Sequence, residues 1–185
     1  PGVALGGQRG TPVAVEYRGV NLKQTRGTVT IPAGAPRTLM LNGLQFGTSD
    51  FAAVREAEAN DAFERAQRLT ASVVVDGRVQ KPGVSHYFVV TAKKDDKLVL
   101  EVQARRLGSP LDSVLTLFDA KRNQVAENDD WNDPLSALLA HNADSRILYT
   151  FPAAGEYYVR LRDIQGKGGD AYAFRLTVAP PRPDF

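Results

Sequence analysis

The sequence contains no cysteine, one tryptophan and two histidines among its 185 residues. Without cysteine the chain has no disulfide framework, thiolate metal site or thiol nucleophile, whereas an exported location stays open because exported bacterial proteins often lack cysteine. No apolar run approaches the roughly 20 residues that cross a bilayer as a helix. Lysine and arginine number 23 against 21 acidic residues, so the charge balance gives no reason to expect nucleic acid as a partner.

What the sequence does contain is alternation with a period of two. Residues 113–118 are apolar on both alternating sides, which predicts a strand buried on both faces and therefore a second sheet above it. Eight such runs, separated by Gly, Pro, Asn and Asp turns, predict strands over residues 71–75, 86–91, 98–104, 113–118, 124–127, 146–151, 156–162 and 172–178. The pattern predicts an all-β, antiparallel, jelly-roll-like sandwich.

Only one helix is predicted, over residues 62–68, where Asp61 and Glu64 have the spacing of a capping box. Residues 1–50 hold short apolar runs that are strands at most, and residues 51–180 form the sandwich. The proline-rich residues 181–185 are interpreted as a linker to a further domain, so we expect the chain to belong to a longer protein.

Five segments of residues 56–178 form a recognisable set: E-A-E-A-N-D-A at 56–62, H-Y-F at 86–88, L-D-S-V-L-T-L-F-D-A at 111–120, A-E-N-D-D at 126–130 and A-G-E-Y-Y-V-R-L at 154–161. Together these segments resemble the bacterial pre-peptidase C-terminal domain. The resemblance implies a β-sandwich that accompanies secreted peptidases and envelope proteins without catalysing a reaction. Residues 9–22 resemble the opening of an IPT/TIG immunoglobulin-like domain, but too few residues separate them from the sandwich to complete such a domain. Residues 1–50 are therefore a remnant, a compact variant or an extra layer.

The same resemblance points to calcium. In collagen-binding relatives an acidic connector binds calcium together with an aspartate pair ahead of an aromatic strand, and the matching connector residues here are Glu56, Glu58, Asn60 and Asp61. The aspartate pair is missing, because this chain has Val84 and His86 at the two positions. The alternative is that the two glutamates are solvated and Asp61 caps the helix.

A second candidate calcium site is the loop rim formed by Asn128, Asp129, Asp130 and Asp133, to which Asp112 or Asp144 can contribute. Calcium takes six to eight oxygen ligands, and carboxylates and amides supply them. The alternative is that these side chains keep the turns soluble and accept hydrogen bonds from backbone amides.

No residue is predicted to be catalytic. Two distant histidines, His86 and His141, are a poor start for a zinc site, and the sequence has no G-x-S-x-G motif. A candidate ligand surface is formed by Tyr158, Arg160, Arg162 and Arg175, provided that the last two strands pair. Trp131 either belongs to a ligand platform or plugs the end of the sandwich.

The sequence therefore predicts a non-catalytic accessory domain of a larger secreted or envelope-associated bacterial protein, serving adhesion, spacing or ligand presentation. Its expected location is extracellular, periplasmic or in the cell envelope. Its expected partners are an extracellular polysaccharide or protein, or neighbouring domains. The alternatives are a carbohydrate-binding module stabilised by calcium and, third, a hydrolase.

Overall fold

A computed structural model describes residues 5–16, 26–41, 44–131 and 144–182 of the chain. The chain forms strands joined by turns. The strands are β1 (Gly6–Gln8), β2 (Pro12–Glu16), β3 (Arg26–Thr30), β4 (Thr38–Leu41), β5 (Leu44–Ser49), β6 (Ala52–Arg55), β7 (Gln67–Leu69), β8 (Val73–Arg78), β9 (His86–Ala92), β10 (Lys97–Gln103), β11 (Ser113–Phe118), β12 (Gln124–Asn128), β13 (Arg146–Thr150), β14 (Gly155–Asp163) and β15 (Ala173–Ala179). In the described part of the chain, no helix is long and apolar enough to cross a membrane.

Two five-stranded sheets form the sandwich. Sheet I has the order β13-β10-β15-β8-β6, and sheet II has the order β12-β11-β14-β9-β7. The eight predicted strands form the antiparallel part of both sheets, so the predicted fold class is confirmed. The added edge strands β6 and β7 pair in parallel with β8 and β9.

The core lies between the two sheets and is built from alternate residues of each strand. In β11 all six residues are buried, as the sequence predicted. Leu115 and Leu117 face the core, where they join Phe88, Phe174 and other apolar residues. The opposite face of β11 is also covered, which means that another part of the chain lies on the outside of sheet II.

The predicted helix over residues 62–68 is wrong in length and type. A single 3-10 turn spans Phe63–Arg65, its N-cap position is Ala62, and no side chain caps it. The next residues form β7, whose backbone pairs with β9, and a helix of one or two turns is too short to be stable by itself. A second 3-10 turn spans Arg105–Leu107.

The described part of residues 5–50 forms a layer outside sheet I. Strands β1, β5 and β4 make one small sheet, and β2 and β3 make a hairpin. Arg175 of β15 donates a hydrogen bond to the Gly47 carbonyl, and Asp50 lies 3.0 Å from the Arg182 guanidinium. We call residues 5–16, 26–41 and 44–50 the N-terminal layer.

Candidate functional site

Two of the residues that match the calcium connector, Glu56 and Asn60, contact a histidine. Glu56 directly follows β6, and His86 is the first residue of β9. Nδ1 of His86 lies 2.5 Å from Oε1 of Glu56 and 3.3 Å from Oδ1 of Asn60. Nδ2 of Asn60 donates to the same Glu56 oxygen at 3.2 Å. The three side chains therefore form one hydrogen-bonded cluster, which we call the Glu56 cluster.

The backbone of β8 completes this cluster. The Arg78 amide donates to Oε2 of Glu56 at 3.1 Å, and the Glu56 amide donates to the Asp76 carbonyl at 3.0 Å. A Cβ atom at Gly77 would lie 2.4 Å from Oε2 of Glu56 and 2.4 Å from the Phe174 ring, so only glycine leaves room for the carboxylate there. The position of Glu56 is thus fixed by both sheets.

The other two connector candidates lie at the surface. Glu58 is exposed. Asp61 is exposed as well and pairs with Arg65, whose hydrogen bond lowers the pKa of the Asp61 carboxyl. Of the four connector residues, Glu56 and Asn60 share the Glu56 cluster, whereas Glu58 and Asp61 are exposed outside its hydrogen bonds.

The loop rim is partly used for local structure. Oδ1 of Asn128 accepts a hydrogen bond from the Arg146 amide at 2.7 Å, and its Nδ2 donates to the Asp130 carbonyl at 3.0 Å. The Arg146 guanidinium lies 4.8 Å above the half-buried Trp131 ring. Asp129 and Asp130 are exposed. The candidates Asp133 and His141 lie outside the described residues.

Asp144 does not face the rim. Its carboxylate is fully buried and accepts hydrogen bonds from the amides of Ala104, Arg105 and Arg106 at 3.0, 2.7 and 3.3 Å. Nε of Arg106 lies 2.7 Å from Oδ2 of the same carboxylate. Asp144 therefore holds the start of the Arg105–Leu107 turn.

Asp112 lies close to the rim. Burial raises the pKa of the Asp112 carboxyl, and the nearby carboxylates of Asp130, Asp163 and Asp129 raise it further against the opposing charge of Arg105. Asp163 itself is buried and accepts hydrogen bonds from the amides of Gln165, Lys167 and Asp112.

Within residues 5–16, 26–41, 44–131 and 144–182, no three His, Asp or Glu side chains are grouped as ligands of a metal ion.

The predicted aromatic and guanidinium surface is divided between the two sheets. Tyr158, Arg160 and Arg162 lie on the outer face of sheet II, whereas Arg175 lies on the outer face of sheet I. The condition for a shared surface, pairing of the last two strands, is not met, since β14 pairs with β9 and β11 while β15 pairs with β8 and β10. These four residues do not share a surface.

A residue that sequence reasoning missed, Phe63, covers the centre of the outer face of sheet II. Its ring centroid lies 4.6 Å from that of Tyr87, 5.3 Å from that of Phe118 and 5.4 Å from that of Tyr158. The Arg122 guanidinium lies 4.8 Å from the same ring. The sequence gives one signal for this role, an apolar residue within a polar connector. Because Phe63 falls inside the predicted helix, the prediction assigns it to that helix.

Comparison with known proteins yields relatives but no family model that matches. The chain is 30% identical over 146 residues to a probable subtilase-type serine protease of Deinococcus radiodurans; the match covers 76% of this chain and 18% of that protein. The chain thus spans less than a fifth of the length of this relative.

Solved structures share the architecture at low identity. The pre-peptidase C-terminal domain of a Bacillus anthracis collagenase is 12% identical with a TM-score of 0.46, and the match covers 61% of this chain and 93% of that domain. A periplasmic inhibitor of g-type lysozyme from Aeromonas hydrophila is 9% identical with a TM-score of 0.38, covering 68% and 99%. The likeness to these structures concerns the fold alone. The chain has the sandwich fold that its resemblance to the pre-peptidase C-terminal domain implied.

Proposed function

We propose that the chain is a non-catalytic accessory β-sandwich domain of a larger secreted or envelope-associated bacterial protein, where it serves adhesion, spacing or ligand presentation. The observation that carries this proposal is the use of its buried carboxylates. Glu56 binds His86 and Asn60, Asp144 binds Arg106 and three amides, and Asp163 binds three amides. These groups hold turns and strands together, whereas a general acid or base must face a cleft that admits substrate.

The similarity to the protease supports the part of the proposal that makes the chain a domain of a larger protein. A segment similar to this chain occupies 18% of the length of that protein. A domain of this size joined to a catalytic domain would place the enzyme near a polymer or hold it away from a surface. We therefore place the activity of the parent protein outside the sandwich.

The experiment uses the purified chain in two assays. Casein and nitrophenyl esters test for hydrolysis, and co-sedimentation with peptidoglycan sacculi, insoluble collagen and cellulose tests for attachment. We expect no turnover above the rate of a heat-denatured control, and retention on at least one polymer. Turnover that co-purifies with the folded chain would contradict the proposal.

A carbohydrate-binding module is the second candidate, and one observation favours it. A groove of about 360 Å³ at one end of the sandwich is lined by the half-buried Tyr149, the buried Tyr157 and the polar residues Asp119, Lys121 and Asn123. Ligand pockets of roughly 300 Å³ or more typically combine an apolar floor with a few polar groups, and a sugar ring matches that combination. Phe63, in contrast, covers Tyr158 on the outer face of sheet II.

Titration of the isotopically labelled chain with cellotriose, maltotriose and chitotriose distinguishes these two surfaces. A saccharide that binds in the groove would shift the amide resonances of Asn123 and Tyr149, and Tyr149→Ala would abolish the shifts. Tyr149→Phe should retain them because the ring is kept. Shifts confined to Tyr158 and Arg160 would identify the sheet surface instead.

A further inference from the structure

The Glu56 cluster has the wrong polarity for a cation. A carboxylate offers about four lone-pair positions, and three N–H groups already point at the two oxygens of Glu56, from His86, Asn60 and the Arg78 amide. A calcium site requires several oxygen atoms that point at one centre. In this cluster, nitrogen donors surround the Glu56 carboxylate. Such a group of donors suits an anion, whereas a calcium ion needs a group of acceptors.

The cluster is also closed to solvent. The side chains of Glu56 and His86 are each 10% exposed, and Asn60 is 2% exposed. A hydrogen bond to a carboxylate is strong in such a place, and removing its donor leaves a buried charge without a partner. The Tyr87 amide donates to the Asn60 carbonyl at 2.7 Å, so the backbone of the connector is joined to β9 at the same point.

We propose that the imidazole of His86 does in this chain what a calcium ion does in the collagen-binding relatives: it joins the connector, residues 56–61, to the start of β9. The substitution explains two departures from the relatives' pattern together. His86 supplies the N–H group that Glu56 needs, and Val84, a half-buried residue two positions earlier, is not needed as a ligand. The connector is therefore closed at any calcium concentration.

This arrangement predicts that calcium dependence can be installed. The double variant Val84→Asp/His86→Asp removes the imidazole and places two carboxylates at the positions of the relatives' aspartate pair. Glu56 and Asn60 would then be left with oxygen atoms available to a cation. We expect calcium to bind this variant and to stabilise it by mass action.

The test compares melting temperatures of the 185-residue chain in excess calcium and in excess chelator. For the unmodified chain we expect a difference of less than about 1 °C, and for the double variant a rise of several degrees with calcium. His86→Ala should lower the Tm by at least about 5 °C whether or not calcium is present. Adding Glu56→Gln to the double variant should abolish its calcium response.

Two outcomes would overturn the proposal. One is a calcium-dependent rise in the Tm of the unmodified chain that Glu56→Gln removes and Asp129→Ala/Asp130→Ala leaves intact. The other is a folded double variant, with an unchanged circular dichroism spectrum, that does not respond to calcium. If the double variant does not fold, the comparison between the unmodified chain and Glu56→Gln decides, since the proposal requires calcium to have the same effect on the Tm of both. Limited trypsin cleavage at Arg55 and Arg65 gives an independent measure of connector opening.

Discussion

The two sheets each carry an arginine on their outer face, and the chain covers these two arginines differently. Arg175 on sheet I is 1% exposed beneath the N-terminal layer, whereas the Arg160 side chain on sheet II is 26% exposed beside a single turn. Cβ atoms at Gly6 and Gly47 would lie 1.5 Å from Nη1 and 2.9 Å from Cδ of Arg175, so these glycines allow the layer to close over the guanidinium.

The strand pattern determines which face of a sheet a residue occupies, whereas segments distant in the sequence determine whether solvent reaches that face. Arg175 pairs with Asp76 at 3.1 Å in a buried setting, where loss of one partner is costly. Arg160 lies 3.9 Å from Glu127 and 5.3 Å from the Phe118 ring in a setting that solvent reaches. Pairs of the second kind contribute little to stability.

The largest effect should come from breaking the buried pair. Arg175→Met removes the partner of Asp76 and the donor to the Gly47 carbonyl. We expect the free energy of unfolding to fall by about 3–5 kcal/mol in urea titrations near neutral pH. The matched variant Arg160→Met should cost less than about 1 kcal/mol. Equal losses in the two variants would contradict the distinction between the two faces.

The second effect concerns the pH dependence of the same pair. Burial raises the pKa of the Asp76 carboxyl to about 6, although Arg175 and Arg55 oppose this shift. An unfolded aspartate titrates near pH 4, so the native state binds this proton more tightly than the unfolded state does. The stability that Asp76 contributes is therefore complete below about pH 4 and is lost as the pH rises through about 6.

Asp76→Asn isolates this contribution, because other carboxylates titrate alike in both proteins. The unfolding free energy of the unmodified chain minus that of the variant should fall by up to about 3 kcal/mol between about pH 4 and pH 7. Urea titrations at four pH values across that interval measure it. A difference that stays constant, or that grows with pH, would show that Arg175 keeps Asp76 ionised throughout.

The sequence is sufficient for the strands and insufficient for the segments that cover them. All eight predicted strands are present because alternation and turn residues act locally, and Ser113–Phe118 even reveals the need for a second sheet. The edge strands β6 and β7 are missing from the prediction, since β6 is exposed along its whole length and β7 is only three residues long, too short to show alternation. The pairing of β14 with β9 and β11 is a property of topology, which strand pattern does not encode.

The candidate site shows the same division. The residue types of the connector and the histidine at position 86 are recognisable in the sequence. That the His86 imidazole binds Glu56 depends on the approach of β9 to the end of β6, which no local pattern records. From its polar sequence context, Asp144 is predicted to contribute to the loop rim. Its burial beneath Arg106 instead results from contact with the Arg105–Leu107 turn, about 40 positions earlier in the chain.

The smallest of the three effects belongs to the turn over sheet II. Phe63→Ala removes a ring that contacts Tyr87, Phe118 and Tyr158 and that the Arg122 guanidinium covers. Because the ring is only half-buried and the turn has no cap, we expect a loss of about 1–2 kcal/mol, with most of it recovered in Phe63→Leu.

Phe63→Ala also tests whether the outer face of sheet II is as well shielded from solvent as the outer face of sheet I. Tyr87 and Tyr158, which contact the Phe63 ring, become more accessible when the ring is removed. Quenching of tyrosine fluorescence by acrylamide should therefore increase in Phe63→Ala and stay unchanged in Phe63→Leu. A loss as large as that of Arg175→Met would mean that this single turn protects its face as completely as the N-terminal layer protects Arg175. The two outer faces would then differ in the length of the segment that covers them, but solvent would be excluded equally from both.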